Sequence, residues 1–216
     1  HRASCSAKGV VGYKPSDEER SIKPVPRFKP RKLVVDRVSP PKALYDDLWS
    51  RYELSSRLLD KNRLGYVPQQ GRIYFPVMDE FGHVIADFTK SWDREISPKA
   101  IPKALMYWHK DVPKIHYPFP ETKGDTLVLV EDILSAIKVS QIMPCAALLG
   151  THITQDMAVS IARSYKSVIF ALDPDAFAKS VRMAKEWRSL LKSRIIKLEA
   201  DPKDSSLEWL KGQLNE

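Results

Sequence analysis

The sequence has 216 residues, of which 43% are hydrophobic and 29% charged, a balance typical of a soluble globular protein. No apolar run approaches the ~20 residues of a membrane-spanning helix and no signal peptide is visible, so we expect a cytoplasmic protein with no membrane partner. Its two cysteines, Cys5 and Cys145, do not imply a disulfide framework. The net charge of +8 and the pI of about 9.4 favour a nucleic-acid partner, with a basic solvated surface as the plainer alternative.

The first 38 residues are rich in proline and positive charge, which indicates an extended arm or linker. The segment is most basic between Lys23 and Lys32, where its charge can hold phosphates without reading sequence; a passive linker is the alternative. His1 and Cys5 are two candidate zinc ligands. Because a structural zinc needs four ligands, we expect Zn²⁺ here only if these residues end a zinc ribbon that lies upstream.

Residues 39–124 predict a small α+β subdomain with basic groups on its loops. Leucines and tyrosines at helical spacing predict one helix over 41–64, ended by Gly65. The apolar period then changes to two, which indicates strands. These strands are predicted over 71–78, 83–90 and 113–117, with a hairpin turn at 79–82.

Residues 125–216 have a different pattern, in which apolar runs alternate with amphipathic stretches. Such alternation predicts a mostly parallel sheet with helices on both faces. The strands are predicted over 126–131, 144–149, 167–172 and 194–198. The helices are predicted near 132–140, 154–164, 176–192 and 205–214.

Acidic residues follow three of these predicted strands. Asp173 and Asp175 come directly after the third strand, at the edge where open α/β sheets bind ligands. Side chains two residues apart there can both reach one hard cation, although a helix cap is the plainer alternative. The same layout at Glu131 favours a shared metal site. A further cluster, Asp201 and Asp204, follows the fourth strand.

Other catalytic patterns are missing from the sequence. No stretch matches the phosphate-cradling P-loop, so no NTP-driven motor is indicated, and no convincing Ser/His/Asp set is present. The histidines are scattered, and we interpret each as structural or surface: His1, His83, His109, His116 and His152.

Three acidic or glycine-containing segments together resemble the TOPRIM domain of topoisomerases and DnaG-type primases: Val130–Asp132, Leu148–Thr151 and Leu172–Asp175. That family carries a Glu after the first strand, a Gly-containing turn after the second and an Asp-x-Asp after the third. Asp201–Asp204 is similar to the Asp-Pro element that follows TOPRIM in primases. The resemblance implies a TOPRIM-type, mostly parallel sheet over 125–216.

The upstream region is also similar to primases. Gly71–Gly82 resembles the apolar-Phe-Pro strand and Asp-x-x-Gly turn of the primase amino-terminal subdomain. Pro102–Leu105 resembles its Pro-Lys-Tyr-Leu element, with Pro98–Ile101 as a competing match, and Cys5–Gly9 is similar to the end of its zinc ribbon. The resemblance covers roughly residues 42–214, and within the family the sequence is most similar in style to phage-encoded primases.

The resemblance implies an enzyme that makes short RNA primers from NTPs on a single-stranded DNA template, using Mg²⁺ or Mn²⁺. It assigns Glu131, Asp173 and Asp175 to catalysis and the metal site, with Glu131 as a ligand or general base. Asp201 and Asp204 would assist at a second ion, and a replicative helicase is an implied partner. Five basic residues would hold NTP phosphates or nucleic acid: Arg72, Lys90, Lys99, Lys103 and Lys179.

Two departures from the family pattern keep other functions open. Asp132 and Ser135 stand where the family has Gly and often Asp, and Phe177–Lys179 replaces Ala-Gly-Arg/Lys. A TOPRIM-type nuclease and a non-catalytic TOPRIM nucleic-acid-binding protein are therefore the alternatives. A topoisomerase needs a tyrosine nucleophile on another domain, for which this chain has too little extra length. The upstream subdomain favours the primase, because such nucleases do not need one.

Overall fold

The computed structural model of the chain describes residues 37–92, 102–108 and 114–215. The predictions for the amino-terminal arm and for Lys99 lie outside these residues. None of the helices in the described ranges is long and apolar enough to cross a membrane. Two four-stranded sheets form the framework, and both belong to one compact unit.

The predicted helix over 41–64 is two helices. The first, α1 (Lys42–Tyr52), begins after Pro41 and ends where Glu53 adopts a left-handed conformation with φ of 55°. The second, α2 (Ser56–Lys61), begins with Ser55, whose hydroxyl accepts a hydrogen bond from the backbone of Leu58, as an N-cap does. The apolar stripe continues through the break, so helical spacing alone did not reveal it.

The first sheet is antiparallel, with the strand order β1-β2-β3-β4. Its strands are Gly65–Val67 (β1), Arg72–Met78 (β2), Val84–Ser91 (β3) and Ala104–Trp108 (β4). The predicted hairpin is therefore confirmed as β2 and β3, while β1 and β4 were not predicted. Its turn uses Gly82 at φ of +81°, a conformation that glycine adopts without strain. The carboxylate of Asp79 accepts the N–H groups of Phe81 and His83 across the turn.

The second sheet is parallel, with the strand order β6-β5-β7-β8. Its strands are Thr126–Val130 (β5), Cys145–Ala147 (β6), Ser167–Phe170 (β7) and Lys192–Ile195 (β8). The helices between and after them are Ile133–Val139 (α3), Gln155–Ser164 (α4), Phe177–Glu186 (α5) and Leu207–Asn215 (α6). The predicted alternation and parallel sheet are confirmed; α5 is shorter than predicted, because the chain turns at Trp187–Leu191.

The short strand predicted over 113–117 is not formed in the described part of that segment. His116 makes an isolated antiparallel bridge to Ala147, with N···O distances of 2.9 and 2.8 Å. The neighbouring Tyr117 donates its backbone N–H to the carbonyl of Met78 at the end of β2. This segment therefore joins the edge of the parallel sheet to the antiparallel sheet.

Helix α3 lies between the two sheets. Its residues Ile133, Leu134 and Ile137 pack in the hydrophobic core of the first sheet, while Ala136 and Val139 pack against the second. The second sheet is covered by apolar residues on both faces, which is why its strands are continuous apolar runs. Because α3 begins directly after Asp132, the end of β5 is held at the junction of the two sheets.

Candidate active site

The acidic residues follow parallel strands and so gather at one edge of the second sheet. Glu131 and Asp132 follow β5, and Asp173 and Asp175 follow β7. Strands β5 and β7 are hydrogen-bonded neighbours, and the pairing extends past their ends, where Ala171 donates its N–H to Leu129. The third cluster lies on a 3₁₀ turn, Pro202–Asp204, beyond β8.

A cleft with a volume of about 1000 Å³ opens beside this edge. One wall comes from the parallel sheet and the 3₁₀ turn, and it carries four carboxylates: Glu131, Asp132, Asp201 and Asp204. The opposite wall comes from α1 and the antiparallel sheet, and it includes Arg51, Tyr52, Phe88, Lys90 and Lys103. The cleft therefore places carboxylates opposite cations and aromatic rings. Asp173 and Asp175 do not line it.

Two of these carboxylates are partly buried with an oxygen that has no hydrogen-bond partner, Oε2 of Glu131 and Oδ1 of Asp173. Burial raises the pKa of Asp173 to about 7; Lys203 opposes this rise, and Asp201 adds to it. Burial also raises the pKa of Glu131, with a further contribution from the charge of Asp175. The positive charge near these two groups, from Lys203 and Lys179, is therefore too small to offset the effect of burial on their pKa values.

These side chains fit a divalent cation. Carboxylate oxygens are the ligands that Mg²⁺ and Mn²⁺ prefer, and a buried oxygen without a partner is costly unless something binds it. The ligands are not preassembled: within residues 37–92, 102–108 and 114–215, no group of three His, Cys, Asp or Glu side chains is arranged to hold a metal ion. Convergence of Glu131, Asp173 and Asp175 on one ion stays a prediction, supported by their electrostatic coupling.

The helix-cap alternative does not apply to Asp173. This residue precedes the 3₁₀ turn Pro174–Ala176, but its side chain makes no capping hydrogen bond. The cap forms instead at Asp132, whose Oδ1 accepts the backbone N–H of Ser135 at 2.8 Å and so begins α3. The neighbours Glu131 and Asp132 therefore have different roles: Glu131 has a buried oxygen without a hydrogen-bond partner, and Asp132 caps a helix.

Lys203 is the charged residue that the sequence analysis missed. Only 8% of it is exposed, and its ammonium contacts Asp132 at 2.9 Å and also Asp201. Although burial lowers it, these two carboxylates hold the pKa of Lys203 above its usual value. The available signal was a lysine placed between two aspartates and directly after a proline.

The basic residues predicted to bind phosphates have different environments. Lys90 and Lys103 line the cleft, and Lys103 is exposed. Burial lowers the pKa of Lys90, against the opposing charge of Asp132. Lys179 is exposed, and its charge lowers the pKa of Glu131 against the effect of burial. These three residues are therefore placed near the acidic edge or in the cleft.

The prediction that Arg72 binds phosphates or nucleic acid is wrong, because its side chain is fully buried. Its guanidinium donates hydrogen bonds to the hydroxyl and carbonyl of Thr89, at 3.0 and 3.1 Å, and to the carbonyls of Pro102 and Lys103, at 3.1 and 3.3 Å. These bonds use the donors that a phosphate would need. Arg72 therefore ties the chain before β4 to the antiparallel sheet and does not contact nucleic acid.

Three features define the class of this fold. An antiparallel sheet packs through helix α3 against a parallel sheet, the parallel sheet has the strand order β6-β5-β7-β8, and carboxylates lie where its strands end. This is the fold of DnaG-type primase catalytic domains. No protein-family model and no curated protein matches the sequence. The likeness therefore comes from solved structures, and those described below have low sequence identity.

Three of these structures illustrate the likeness. The primase of Aquifex aeolicus (zinc-binding and RNA polymerase domains) has a TM-score of 0.57 at 19% identity, over 82% of this chain and 49% of that chain. A DnaG primase catalytic domain bound to ssDNA has a TM-score of 0.54 at 20% identity, over 82% and 63%. The primase fragment of the bacteriophage T7 primase-helicase protein has a TM-score of 0.57 at 14% identity, over 87% and 81%. The chain spans about half the length of the Aquifex structure, and the predicted fold is confirmed.

Proposed function

We propose that this chain is the catalytic part of a DNA primase, which makes short RNA primers from NTPs on single-stranded DNA with Mg²⁺ or Mn²⁺. The observation that carries the proposal is the cleft, which has lysines on one wall and carboxylates on the other, one of them Glu131 with a buried oxygen that has no hydrogen-bond partner. A cation and a polyanion fit such a site together.

In this proposal Glu131, Asp173 and Asp175 hold the catalytic ion. A divalent ion bound there would align the NTP triphosphate and stabilise the charge that develops on it. Asp175 is exposed, so its carboxylate can turn toward the ion. Glu131, whose pKa is raised by burial, serves either as a ligand or as a base whose carboxylate accepts the proton of the primer 3′-hydroxyl.

The opposite wall of the cleft binds the substrates. Lys90 and Lys103 supply charge for NTP phosphates or the template backbone, because a lysine acts there as a point charge. Tyr52, which is only partly buried, lines the same cleft and offers an aromatic surface on which bases of any sequence can stack. The ssDNA-bound primase domain of similar fold supports a single-stranded template.

The proposed roles of the two cleft walls divide the chain into two domains. We place a substrate-binding subdomain at 39–124 and a TOPRIM domain at 125–216, with the cleft between their sheets. A replicative helicase is the proposed partner, supported by the similar fold of the T7 primase-helicase fragment. A zinc ribbon upstream would complete the set of primase elements.

Incorporation of labelled NTPs on single-stranded DNA tests the proposal, with and without a chelator. Asp175→Asn should abolish synthesis, because it removes a charged ligand while keeping the side-chain volume. Asp125→Asn is the matched control, since Asp125 precedes β5 at the opposite edge of the sheet and should leave synthesis unchanged. Synthesis by the Asp175→Asn variant would refute the assigned site, and template cleavage without incorporation would favour the nuclease alternative.

A further inference from the structure

The Lys203 ammonium lies among three carboxylates at the acidic edge. Its Nζ is 2.9 Å from Oδ2 of Asp132 and 3.9 Å from Oδ2 of Asp204, and it also donates to Oδ2 of Asp201. Its side chain is only 10% exposed. A divalent ion is bound by carboxylate oxygens of this kind, and here a buried ammonium supplies the positive charge among them.

The remaining carboxylates of the same edge have no such partner. Oε2 of Glu131 and Oδ1 of Asp173 are buried without a hydrogen bond. The acidic edge therefore has two groups of carboxylates: one in direct contact with Lys203, and one that has no direct cation contact at its buried oxygen, although the charge of Lys203 also lowers the pKa of Asp173 against the effect of burial. The division separates Glu131 from Asp132, although the two are adjacent in sequence.

A second buried lysine, Lys138, holds the backbone of Lys203 in position. Nζ of Lys138, which is 2% exposed, donates to the carbonyl of Lys203 at 3.1 Å and pairs with Oε2 of Glu53 at 3.2 Å. The same Glu53 oxygen accepts the backbone N–H of Leu207 at the start of α6. The turn that carries Lys203 is thus connected to the residues between α1 and α2 and to α3. These contacts hold the Lys203 backbone, and with it the ammonium, in a fixed position.

We propose that Lys203 is a built-in cation, which replaces a second divalent ion at the group Asp132, Asp201 and Asp204. The inference rests on the proposed primase function. It assigns one exchangeable ion to the chain, at Glu131, Asp173 and Asp175, and makes Lys203 a positioning residue that holds the other carboxylates in place without metal. The earlier assignment of Asp201 and Asp204 to a second ion is thereby replaced.

The number of bound Mn²⁺ ions per chain tests this directly, by calorimetry and by the loss of the free-ion signal in electron paramagnetic resonance. The wild-type chain should bind one ion. Lys203→Gln keeps a polar side chain of similar length but frees three carboxylates, so it should bind two. Lys203→Arg retains the charge and should still bind one. Lys211→Gln, an exposed lysine on α6, is the matched control and should also bind one.

Two further variants, in which Lys203 is unchanged, keep the inference testable if Lys203→Gln fails to fold. Asp201→Asn should leave the count at one, since Asp201 serves Lys203, whereas Asp173→Asn should reduce it to none. Two ions in the wild type, or an unchanged count in folded Lys203→Gln, would overturn the inference and leave the primase proposal intact. No Mn²⁺ bound by the wild type would overturn both.

Discussion

The backbone N–H of Met78 donates a 3.1 Å hydrogen bond to Nδ1 of His116, and this bond joins the antiparallel sheet to the parallel one. Met78 is the last residue of β2, and His116 bridges to Ala147 at the end of β6. Nδ1 can accept this bond only when it carries no proton, so the imidazole is neutral. The imidazole is also buried, with 1% exposed. Burial lowers the pKa of His116 to about 3.

This histidine should make the fold sensitive to mild acid. Because its pKa is lowered, the unfolded chain binds more protons between pH 6.5 and 3, and stability falls as the pH drops through that window. The expected loss from pH 7 to pH 5 is about 2 kcal/mol. His116→Asn keeps an acceptor but cannot be protonated, so urea unfolding of this variant should show a smaller loss. His83→Asn, at an exposed histidine, should behave as wild type, and an equal pH slope in all three chains would contradict the prediction.

Asp173→Asn should stabilise the metal-free chain at high pH. The pKa of Asp173 is raised to about 7, so the unfolded state binds fewer protons between pH 4 and 7, and its ionisation lowers stability as the pH rises through that window. After allowance for partial exposure we expect a gain on the order of 1–2 kcal/mol at pH 8 and little at pH 4.

Thermal unfolding with and without Mn²⁺ checks this prediction. The ion should raise the Tm of the wild type at pH 8, because it compensates the carboxylate, and should not raise the Tm of Asp173→Asn. Asp125→Asn, an exposed acidic residue paired with Lys166, serves as the control for charge. If Asp173→Asn is less stable than wild type at pH 8 without metal, Asp173 is not a strained carboxylate.

Arg72 and Lys103 should separate stability from binding. Arg72→Met removes the donors that bond the buried Thr89 side chain and carbonyl and the carbonyl of Pro102, and should cost about 3 kcal/mol in urea unfolding. Lys103→Met changes an exposed residue and should alter stability by less than about 0.5 kcal/mol. It should instead reduce the slope of log affinity against log salt concentration for single-stranded DNA by about 0.7, measured by fluorescence anisotropy. Wild-type stability in Arg72→Met would restore a surface role for Arg72.

Lys138→Met should loosen the acidic turn. It leaves the carbonyl of Lys203 unpaired and should lower the free energy of unfolding by about 2 kcal/mol. The amides of Asp204 and Ser205, which donate to Asp201, should exchange with deuterium faster in this variant. Lys123→Met, at an exposed lysine, should change neither. A loss of stability without faster exchange in the turn would mean that Lys138 does not position it.

The sequence was sufficient where the signal is local. The apolar run before Asp173 and the helical spacing after it predicted β7 and α5, since burial on both faces leaves a continuous apolar strand. Alternation of such units predicted a parallel sheet, and a parallel sheet places the residues after its strands at one edge. The placement of Glu131, Asp173 and Asp175 at that edge followed from the sequence by this geometry alone.

The tertiary structure decided what each charge does, because burial and pairing depend on residues far apart in the chain. Arg72 is structural because it meets the Lys103 carbonyl, 31 residues away, and Lys203 is enclosed because Asp132 lies on another strand end. Helical spacing likewise missed the break at Glu53, whose carboxylate contacts Leu207, 154 residues away. Local periodicity carries no record of such contacts. The sequence therefore determined the sheet edge at which the carboxylates gather, and the fold decided which of them have a cation.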